Sequence, residues 1–272
     1  RDNKEQKMSE DMHGIVRTER EGKTLVIEVD RQDKMNGFTP EMFEGISGAF
    51  EMLEQDNDLW VGVLCFAGKH STAGLDLPRF FGGNSGSGDE SSESSDNRPD
   101  GFALRRRCTK PIVAAVQGIT YTVGIEMMLA ADIVVAAEDC RFCQLEPKRG
   151  LAVFGGAHVR YIQRAGWGNA MYHLLRADEF DAARAKELGF VQEVVSTGSQ
   201  LMRAKEIANE IAQCAPIAVQ EIKRAAQLYL ELGEKAAFAE IDTMRSATLA
   251  TEDAKEGMQS FIERRDPEFK GR

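Results

Sequence analysis

Histidine, tryptophan and long apolar runs are scarce in this sequence, and these scarcities limit the classes of function that it can have. The four histidines among 272 residues lie in no recognisable nucleophile setting, and we predict no metal site. No apolar run approaches the roughly 20 residues that span a bilayer. The polar segment 1–13 has the composition of neither a signal peptide nor an anchor, so we expect no membrane partner. The two tryptophans, Trp60 and Trp167, are predicted to be packing residues.

Basic residues are also in deficit. The chain has 34 Lys and Arg residues against 44 Asp and Glu residues, a net charge of -10. Beyond the short run 105–107, no segment is rich in lysine or arginine. Because nucleic-acid binding depends on neutralising phosphates, this balance argues against a nucleic-acid partner.

The five cysteines are an odd number in a chain too long to need disulfide staples. They therefore predict a reducing compartment, the cytoplasm. Cys140 and Cys143 have the CxxC spacing, but no second CxxC and no nearby histidine accompany them. We favour a structural role for this pair over metal binding or redox chemistry.

The hydrophobic pattern divides the chain into three parts. A polar tail, 1–13, precedes an α/β core over 14–199, and a helical region follows over 200–272. Continuous apolar strands alternating with helices predict a core whose sheet is covered on both faces. A helix should begin at Thr39-Pro40, where a capping residue precedes a proline. The predicted strands include 24–29, 61–66, 111–116 and 133–136.

Within the core, residues 81–100 differ from their surroundings, because they are rich in glycine, serine and acidic residues. Such a composition is too polar to pack, so we predict a mobile surface loop. A lid that becomes ordered when a ligand binds is the less favoured alternative.

Two turns and two acids are the candidates for chemistry. Small residues over 73–77 follow a buried strand, and they allow the backbone to approach a ligand closely. Residues 118–126 run from a second buried strand into a helix, whose first N–H groups suit a developing oxyanion. Glu126 lies in an otherwise apolar helix, so its burial requires a reason. Glu146 directly follows a third strand-like segment.

Over nearly its whole length the sequence resembles the enoyl-CoA hydratase/isomerase (crotonase) family. Six ordered segments resemble that family's motifs at the family's spacing. They are 30–32 with 36–38, 73–77, 110–118, 146–150 with 155–156, 181–185 with 189–191, and 256–261 with 269–270.

The resemblance implies a fold, an assembly and a reaction. The implied fold is an α/β spiral of repeated ββα units, followed by C-terminal helices that mediate trimerisation, in a homotrimer or homohexamer. The implied enzyme is a lyase of acyl-CoA and fatty acid metabolism. It hydrates a 2-enoyl-CoA to a 3-hydroxyacyl-CoA, with coenzyme A as part of the substrate and no permanently bound cofactor.

The same resemblance assigns roles to individual residues. It implies that the backbone N–H groups of Leu75 and Val123 form an oxyanion hole, and that Glu126 and Glu146 are the two catalytic glutamates. The residues that it places on coenzyme A are Lys69, Ala73 and Leu75, together with Phe261 and Lys270 from the C-terminal tail.

Three departures from the family pattern affect the acyl group. Val123 replaces a glycine, and a β-branched residue disfavours the positive φ that glycine would allow. Leu145 stands where proline commonly precedes the second glutamate, and Phe154 stands where glycine is frequent. We therefore expect a reshaped acyl pocket. An isomerase, a dehydratase, a thioester hydrolase and a non-catalytic binding protein of the same family remain alternatives.

Overall fold

The computed structural model describes residues 13–81 and 97–272, with the side chain of Phe81 excepted. Nearly all of the predicted tail 1–13 and most of the predicted loop 81–100 lie outside the described residues. Residues 97–100 of that loop are described, and the carboxylate of Asp100 accepts backbone hydrogen bonds from the N–H groups of Leu104 and Arg105. This end of the loop is therefore held in place.

Six strands form the main sheet, in the order β1-β2-β3-β4-β6-β9. Each neighbouring pair is parallel except β1 and β2, which are antiparallel. β3 and β4 are buried along their whole length, as their continuous apolar sequence predicts. The strands are β1 (Ile15–Glu21), β2 (Thr24–Asp30), β3 (Val61–Phe66), β4 (Ile112–Val116), β6 (Ile133–Ala137) and β9 (Glu193–Val195).

A smaller sheet contains β5 (Ile119–Tyr121), β7 (Arg141–Cys143) and β8 (Phe180–Asp181), in the order β5-β7-β8. From β4 to β7, strands of the two sheets alternate along the chain. β4 enters the main sheet, β5 enters the smaller sheet and a helix follows, and β6 and β7 repeat this pattern. This is the predicted spiral of ββα units.

Helices surround both sheets and fill the C-terminal region. The first helix begins as predicted, because Thr39 Oγ1 accepts a hydrogen bond from the Met42 N–H and Pro40 is the first helical residue. The helices are α1 (Pro40–Gln55), α2 (Leu77–Phe81), α3 (Val123–Ala130), α4 (Ala157–Arg176), α5 (Ala182–Glu187), α6 (Gln200–Ile211), α7 (Pro216–Leu232), α8 (Glu234–Ala239), α9 (Ile241–Leu249) and α10 (Glu252–Glu263). Short 3-10 helices span Gln32–Lys34 and Glu146–Arg149.

The main sheet carries an apolar core on each face. On one face α1 and α3 pack over the strands, with Ile46, Leu53 and Ile125 fully buried. On the other face α6 packs through Ala204 and Ile207. The expectation of a sheet covered on both faces is thus met. Among the described residues, no helix is both long enough and apolar enough to cross a membrane.

The sequence-based prediction was wrong about one tryptophan and missed one edge strand of the main sheet. Trp60 is buried, but Trp167 on α4 is 68% exposed, so it is not a packing residue within this chain. The edge strand β1 was not predicted, because most of its residues are polar and it pairs only with β2.

The cysteines of the CxxC pair are buried side chains within the core. Cys140 Sγ donates to the Val116 carbonyl and Cys143 Sγ donates to the Ala177 carbonyl. Burial raises the pKa of Cys140 to about 12 and the pKa of Cys143 to about 11, so both remain protonated thiols at neutral pH. These contacts suit the structural role that we favour for the pair.

Candidate active site

One cavity of about 390 Å³ brings together all four predicted catalytic residues, Leu75, Val123, Glu126 and Glu146. Its wall is built from the turn after β3, the start of α3, the 3-10 helix Glu146–Arg149 and the loop before α4. The lining residues are Phe43, Ala73, Gly74, Leu75, Leu77, Phe80, Phe102, Leu104, Thr122, Val123, Glu126, Leu145, Glu146, Arg149, Leu151, Ala152, Phe154 and Gly155.

The turn that contains Leu75 is fixed from both sides. Gly74 accepts from the Phe38 N–H, and the Asp76 N–H donates to the Phe38 carbonyl. Arg31, which is almost fully buried, forms an ion pair with Asp76 at 2.7 Å. The Leu75 N–H donates no hydrogen bond to an acceptor in the described part of the chain. The segments 30–32 and 36–38 therefore act as a support for this turn.

Glycine is required at position 74, where the turn that contains Leu75 meets the turn before α3. Its φ of +117° is one that residues with a side chain rarely adopt. A Cβ atom at this position would also lie 2.6 Å from Thr122 Oγ1. The close approach brings the Leu75 turn against the start of α3.

Strain in the second turn lies at Thr122, not at Val123. Thr122 has φ 47° and ψ −110°, while Val123 is the first residue of the regular helix α3. The expected conflict between a β-branched residue and a positive φ therefore falls one residue earlier than predicted. The backbone is held there because the Tyr121 N–H donates to the Thr72 carbonyl and the Thr122 N–H donates to the Cys143 carbonyl. Within the described part of the chain, the Val123 N–H has no acceptor.

We expect Thr122→Gly to stabilise the protein. A residue held in such a sparsely populated conformation costs about 1–3 kcal/mol, whereas the added flexibility of glycine in the unfolded chain costs about 0.5–1 kcal/mol. The buried Thr122 Oγ1 also has no hydrogen-bond partner in the structure. Urea denaturation should show a net gain of about 1 kcal/mol in the free energy of unfolding. A loss of stability would mean that the threonine is not strained.

Glu126 is only 2% exposed, and the structure supplies the reason for its burial. Its Oε1 accepts hydrogen bonds from the N–H groups of Gly155 at 2.8 Å and Ala157 at 3.2 Å. Burial raises the pKa of Glu126 to about 7, although these two N–H groups and the Arg160 guanidinium act in the opposite direction. Near neutral pH this carboxyl group can therefore both hold and release a proton.

Glu146 begins the 3-10 helix that follows β7, as the sequence places it. Burial, and to a smaller extent the neighbouring Glu126 charge, raise the pKa of Glu146 to about 7. Its Oε2 is buried without a hydrogen-bond partner in the structure. The two acids thus lie in one cavity with raised pKa values, and the charge of Glu126 contributes to the raised pKa of Glu146.

The raised pKa of Glu126 predicts a dependence of stability on pH. Its pKa in the folded state, about 7, exceeds the ordinary value of 4.5, so the folded protein binds this proton more tightly. The resulting stabilisation is complete below pH 4.5 and is lost as the pH rises to about 7. We expect Glu126→Gln to have a higher free energy of unfolding than the parent at pH 8, by about 1–3 kcal/mol. Urea denaturation at pH 5 and pH 8 tests this, and an equal difference at both values would contradict it.

Sequence reasoning missed the groups that fix Glu126. Gly155 and Ala157 contribute only backbone N–H groups, which leave no signal in side-chain chemistry. Arg160 is buried and donates to the carbonyl groups of Gly155, Phe102 and Ala103, which ties two loops of the cavity together. An arginine within a helix is an ordinary residue in sequence, so only its burial reveals this role.

Several residues predicted to contact coenzyme A do not line this cavity. Of that set, Ala73 and Leu75 line it, whereas Lys69 is exposed on the preceding turn. Phe261 is 84% exposed on α10, and Lys270 lies near the C-terminus. His70 is half-buried, and its Nδ1 accepts a hydrogen bond from the Ile119 N–H.

Comparison with known proteins gives a consistent result. The sequence model of the enoyl-CoA hydratase/isomerase family matches residues 19–272. The enoyl-CoA hydratase EchA19 of Mycobacterium tuberculosis is 34% identical over 255 residues, which cover 93% of this chain and 96% of that protein. The 2,3-dehydroadipyl-CoA hydratase of Escherichia coli is 28% identical, with coverages of 93% and 97%.

A solved structure extends this similarity to the fold. The crystal structure of a probable enoyl-CoA hydratase/isomerase from Mycobacterium abscessus superposes with a TM-score of 0.88 at 40% identity. The match covers 94% of this chain and 98% of the other. The chain belongs to the enoyl-CoA hydratase/isomerase family, has the crotonase fold and is a hydratase-like lyase.

Proposed function

We propose that this protein adds water to a 2-enoyl-CoA and forms a 3-hydroxyacyl-CoA through a stabilised thioester enolate. The observation that carries the proposal is a pair of glutamates in the wall of one cavity, with Glu126 buried, Glu146 half-buried and both pKa values at about 7. Hydration needs one group that accepts a proton from water and another that delivers a proton to carbon. Two carboxyl groups with these pKa values meet both needs near neutral pH.

The backbone N–H groups of Leu75 and Val123 form the proposed oxyanion hole. Both residues line the cavity, and neither N–H donates to an acceptor in the part of the chain that the structure describes. The Val123 N–H also lies at the positive end of α3, which favours negative charge. Losing a single donor of this kind costs about 2.7–4 kcal/mol of transition-state stabilisation. The pair would stabilise the negative charge that develops on the thioester oxygen.

The two glutamates divide the proton transfers. Glu126 accepts a proton from water while the water oxygen forms a bond to Cβ, and the electrons of the double bond move toward the thioester. Protonated Glu146 then delivers its proton to Cα, and the thioester carbonyl is restored. One water molecule is added in total. Glu126 then releases its proton to the solvent and Glu146 takes one up from the solvent, which restores the starting state.

Coenzyme A and the assembly belong to the same proposal. Ala73 and Leu75 would contact the part of coenzyme A that enters the cavity, and Lys69 would lie near its adenine and phosphates. Phe261 and Lys270 would reach coenzyme A bound to a neighbouring subunit of a homotrimer or homohexamer.

Exposed apolar side chains on the C-terminal helices support such an assembly, among them Ile222, Tyr229, Leu232, Phe238 and Leu249. Light scattering should give three or six times the 30.1 kDa chain mass.

All five cysteines are free thiols, which suits a reducing compartment and supports a cytoplasmic location.

The catalytic test is a panel of 2-enoyl-CoAs. The reaction is monitored by the loss of conjugated-enoyl absorbance and by the mass of the product. Hydration raises the mass by one water. Isomerisation leaves the mass unchanged, and thioester hydrolysis releases free thiol. A dehydratase would run the same reaction in reverse from a 3-hydroxyacyl-CoA, so both directions are measured.

A further inference from the structure

Beyond the two glutamates, the cavity wall is almost entirely apolar. We infer that it accepts a large apolar acyl group and disfavours short acyl chains, with Leu145 and Phe154 as the residues that set this preference. The inference rests on the proposed function, since it concerns the acyl part of the same substrate. Leu145 directly precedes Glu146, and Phe154 directly precedes Gly155, whose N–H holds Glu126. Both residues line the cavity together with the two glutamates.

The volume of the cavity exceeds what a short acyl chain fills. A methylene group is close in size to a water molecule, which occupies about 30 Å³ in the liquid, so a four-carbon chain fills about 120 Å³. The cavity holds about 390 Å³. The end of coenzyme A, which would enter beside the turn around Gly74, needs part of this volume, and the rest is open to the acyl group. An acyl group of about eight carbons or more fits this space.

Large apolar side chains stand exposed around this cavity. Phe154 is 68% exposed and Leu104 is 53% exposed, and Leu77 and Phe80 are also open to solvent. All four line the cavity. Exposed apolar groups that converge on one concave site are typical of a site for an apolar ligand. A bound acyl chain would remove these surfaces from water, which is the driving force for its recognition.

Aromatic side chains give the wall a continuous surface. Phe43 lies at the centre, with ring centroids 5.2 Å from Phe102 and 6.2 Å from Phe80. Separations of this size are typical of packed aromatic pairs, so the three rings form one cluster. It presents a preformed apolar surface that a chain of four carbons is too short to cover.

Among the described residues that line the cavity, Arg149 is the one with a positive charge, and it favours a different ligand. An acyl group with a terminal carboxylate could pair with its guanidinium. Arg149 is exposed to solvent, however, so such a pair would contribute little. The extent of the apolar wall favours an acyl group without charge, and a carboxylate-bearing substrate is included in the test.

The test compares crotonyl-CoA, trans-2-decenoyl-CoA, cinnamoyl-CoA and 2,3-dehydroadipyl-CoA as substrates of the full-length protein. Since each fully buried methylene strengthens binding about fourfold, we expect kcat/KM for decenoyl-CoA to exceed that for crotonyl-CoA by at least about tenfold. Cinnamoyl-CoA shows whether a ring serves as well as a linear chain. A preference for crotonyl-CoA or for dehydroadipyl-CoA, with hydration intact, would overturn the inference and leave the proposed function standing.

Phe154→Ala provides the second measurement. Because its ring is exposed, the substitution should leave the fold intact, and circular dichroism verifies this. We expect the ratio of kcat/KM for decenoyl-CoA over crotonyl-CoA to fall about tenfold, mainly through KM. Met52→Ala, an exposed apolar residue of α1 outside the cavity, is the matched control and should leave the ratio unchanged. An unchanged ratio in Phe154→Ala contradicts the role of Phe154.

Binding of saturated acyl-CoAs separates this inference from the proposed function. Decanoyl-CoA and butyryl-CoA cannot be hydrated and share the same coenzyme A part, so the difference between their affinities reports on the acyl site. Calorimetry should show decanoyl-CoA binding at least about tenfold more tightly. If no enoyl-CoA is hydrated and this difference is still found, the proposed function fails while the preference stands. Equal affinities would overturn the preference in either case.

Discussion

Replacing Glu146 by glutamine should lower kcat for enoyl-CoA hydration by about 10²–10⁴-fold, because glutamine cannot deliver a proton to Cα. Glutamine keeps the size of the side chain, so the cavity retains its shape. The loss should fall on kcat and kcat/KM alike, since proton transfer contributes only in the transition state. Loss of enoyl absorbance under saturating substrate measures kcat.

Glu126→Gln is expected to cause a loss of the same size. The glutamine carbonyl can still accept the hydrogen bonds from Gly155 and Ala157, so the loop before α4 should stay in place. What would disappear is the carboxylate that accepts a proton from water in the proposed mechanism. Full activity in both variants with a good substrate would falsify the assignment of the two glutamates.

Glu138→Gln is the matched control for both variants. Glu138 is exposed and lies outside the cavity, so the same chemical change there should leave kcat unaltered. Exchange of the Cα proton with deuterated solvent adds a separate readout. It should be lost in Glu146→Gln and should report directly on the group that protonates Cα.

Gly155→Ala should reduce kcat by about 10²-fold, because it displaces the Glu126 carboxylate. A Cβ atom at this position would lie 2.3 Å from Glu126 Oε2 and 2.9 Å from Phe102 Cε1. A shift of about 1 Å in a catalytic group can have an effect of this size. The Gly155 N–H that holds the carboxylate would move with the loop.

Gly168→Ala, in α4, tests whether any added methyl group has the same effect. A Cβ atom there meets no heavy atom within 4 Å, so the variant should be as active as the parent. Activity assays and urea denaturation on both variants separate displacement of Glu126 from general destabilisation. Undiminished kcat in Gly155→Ala would mean that the carboxylate can move without loss of function.

The order and class of the main elements could be predicted from the sequence. Continuous apolar runs predicted the buried strands β3 and β4, and Thr39-Pro40 predicted the start of α1. The prediction missed the exposed Trp167, because whether an aromatic residue is buried depends on what packs against it. The smaller sheet was only partly foreseen, since two or three residues carry too little pattern to define a strand.

The sequence by itself determined which groups are available for chemistry. The order of the motifs identified the family, and an acid in an otherwise apolar helix singled out Glu126. The resemblance to that family pointed to the backbone N–H groups of Leu75 and Val123, which lie in turns that follow buried strands.

Only the tertiary structure decided how these groups behave. The pKa of Glu126 depends on burial and on N–H groups from Gly155 and Ala157, which are about 30 residues away in sequence. The shape of the cavity depends on Phe43, Phe102 and Phe154, which come from separate segments. Desolvation and packing act across space, so they become readable only when the chain has brought these segments together.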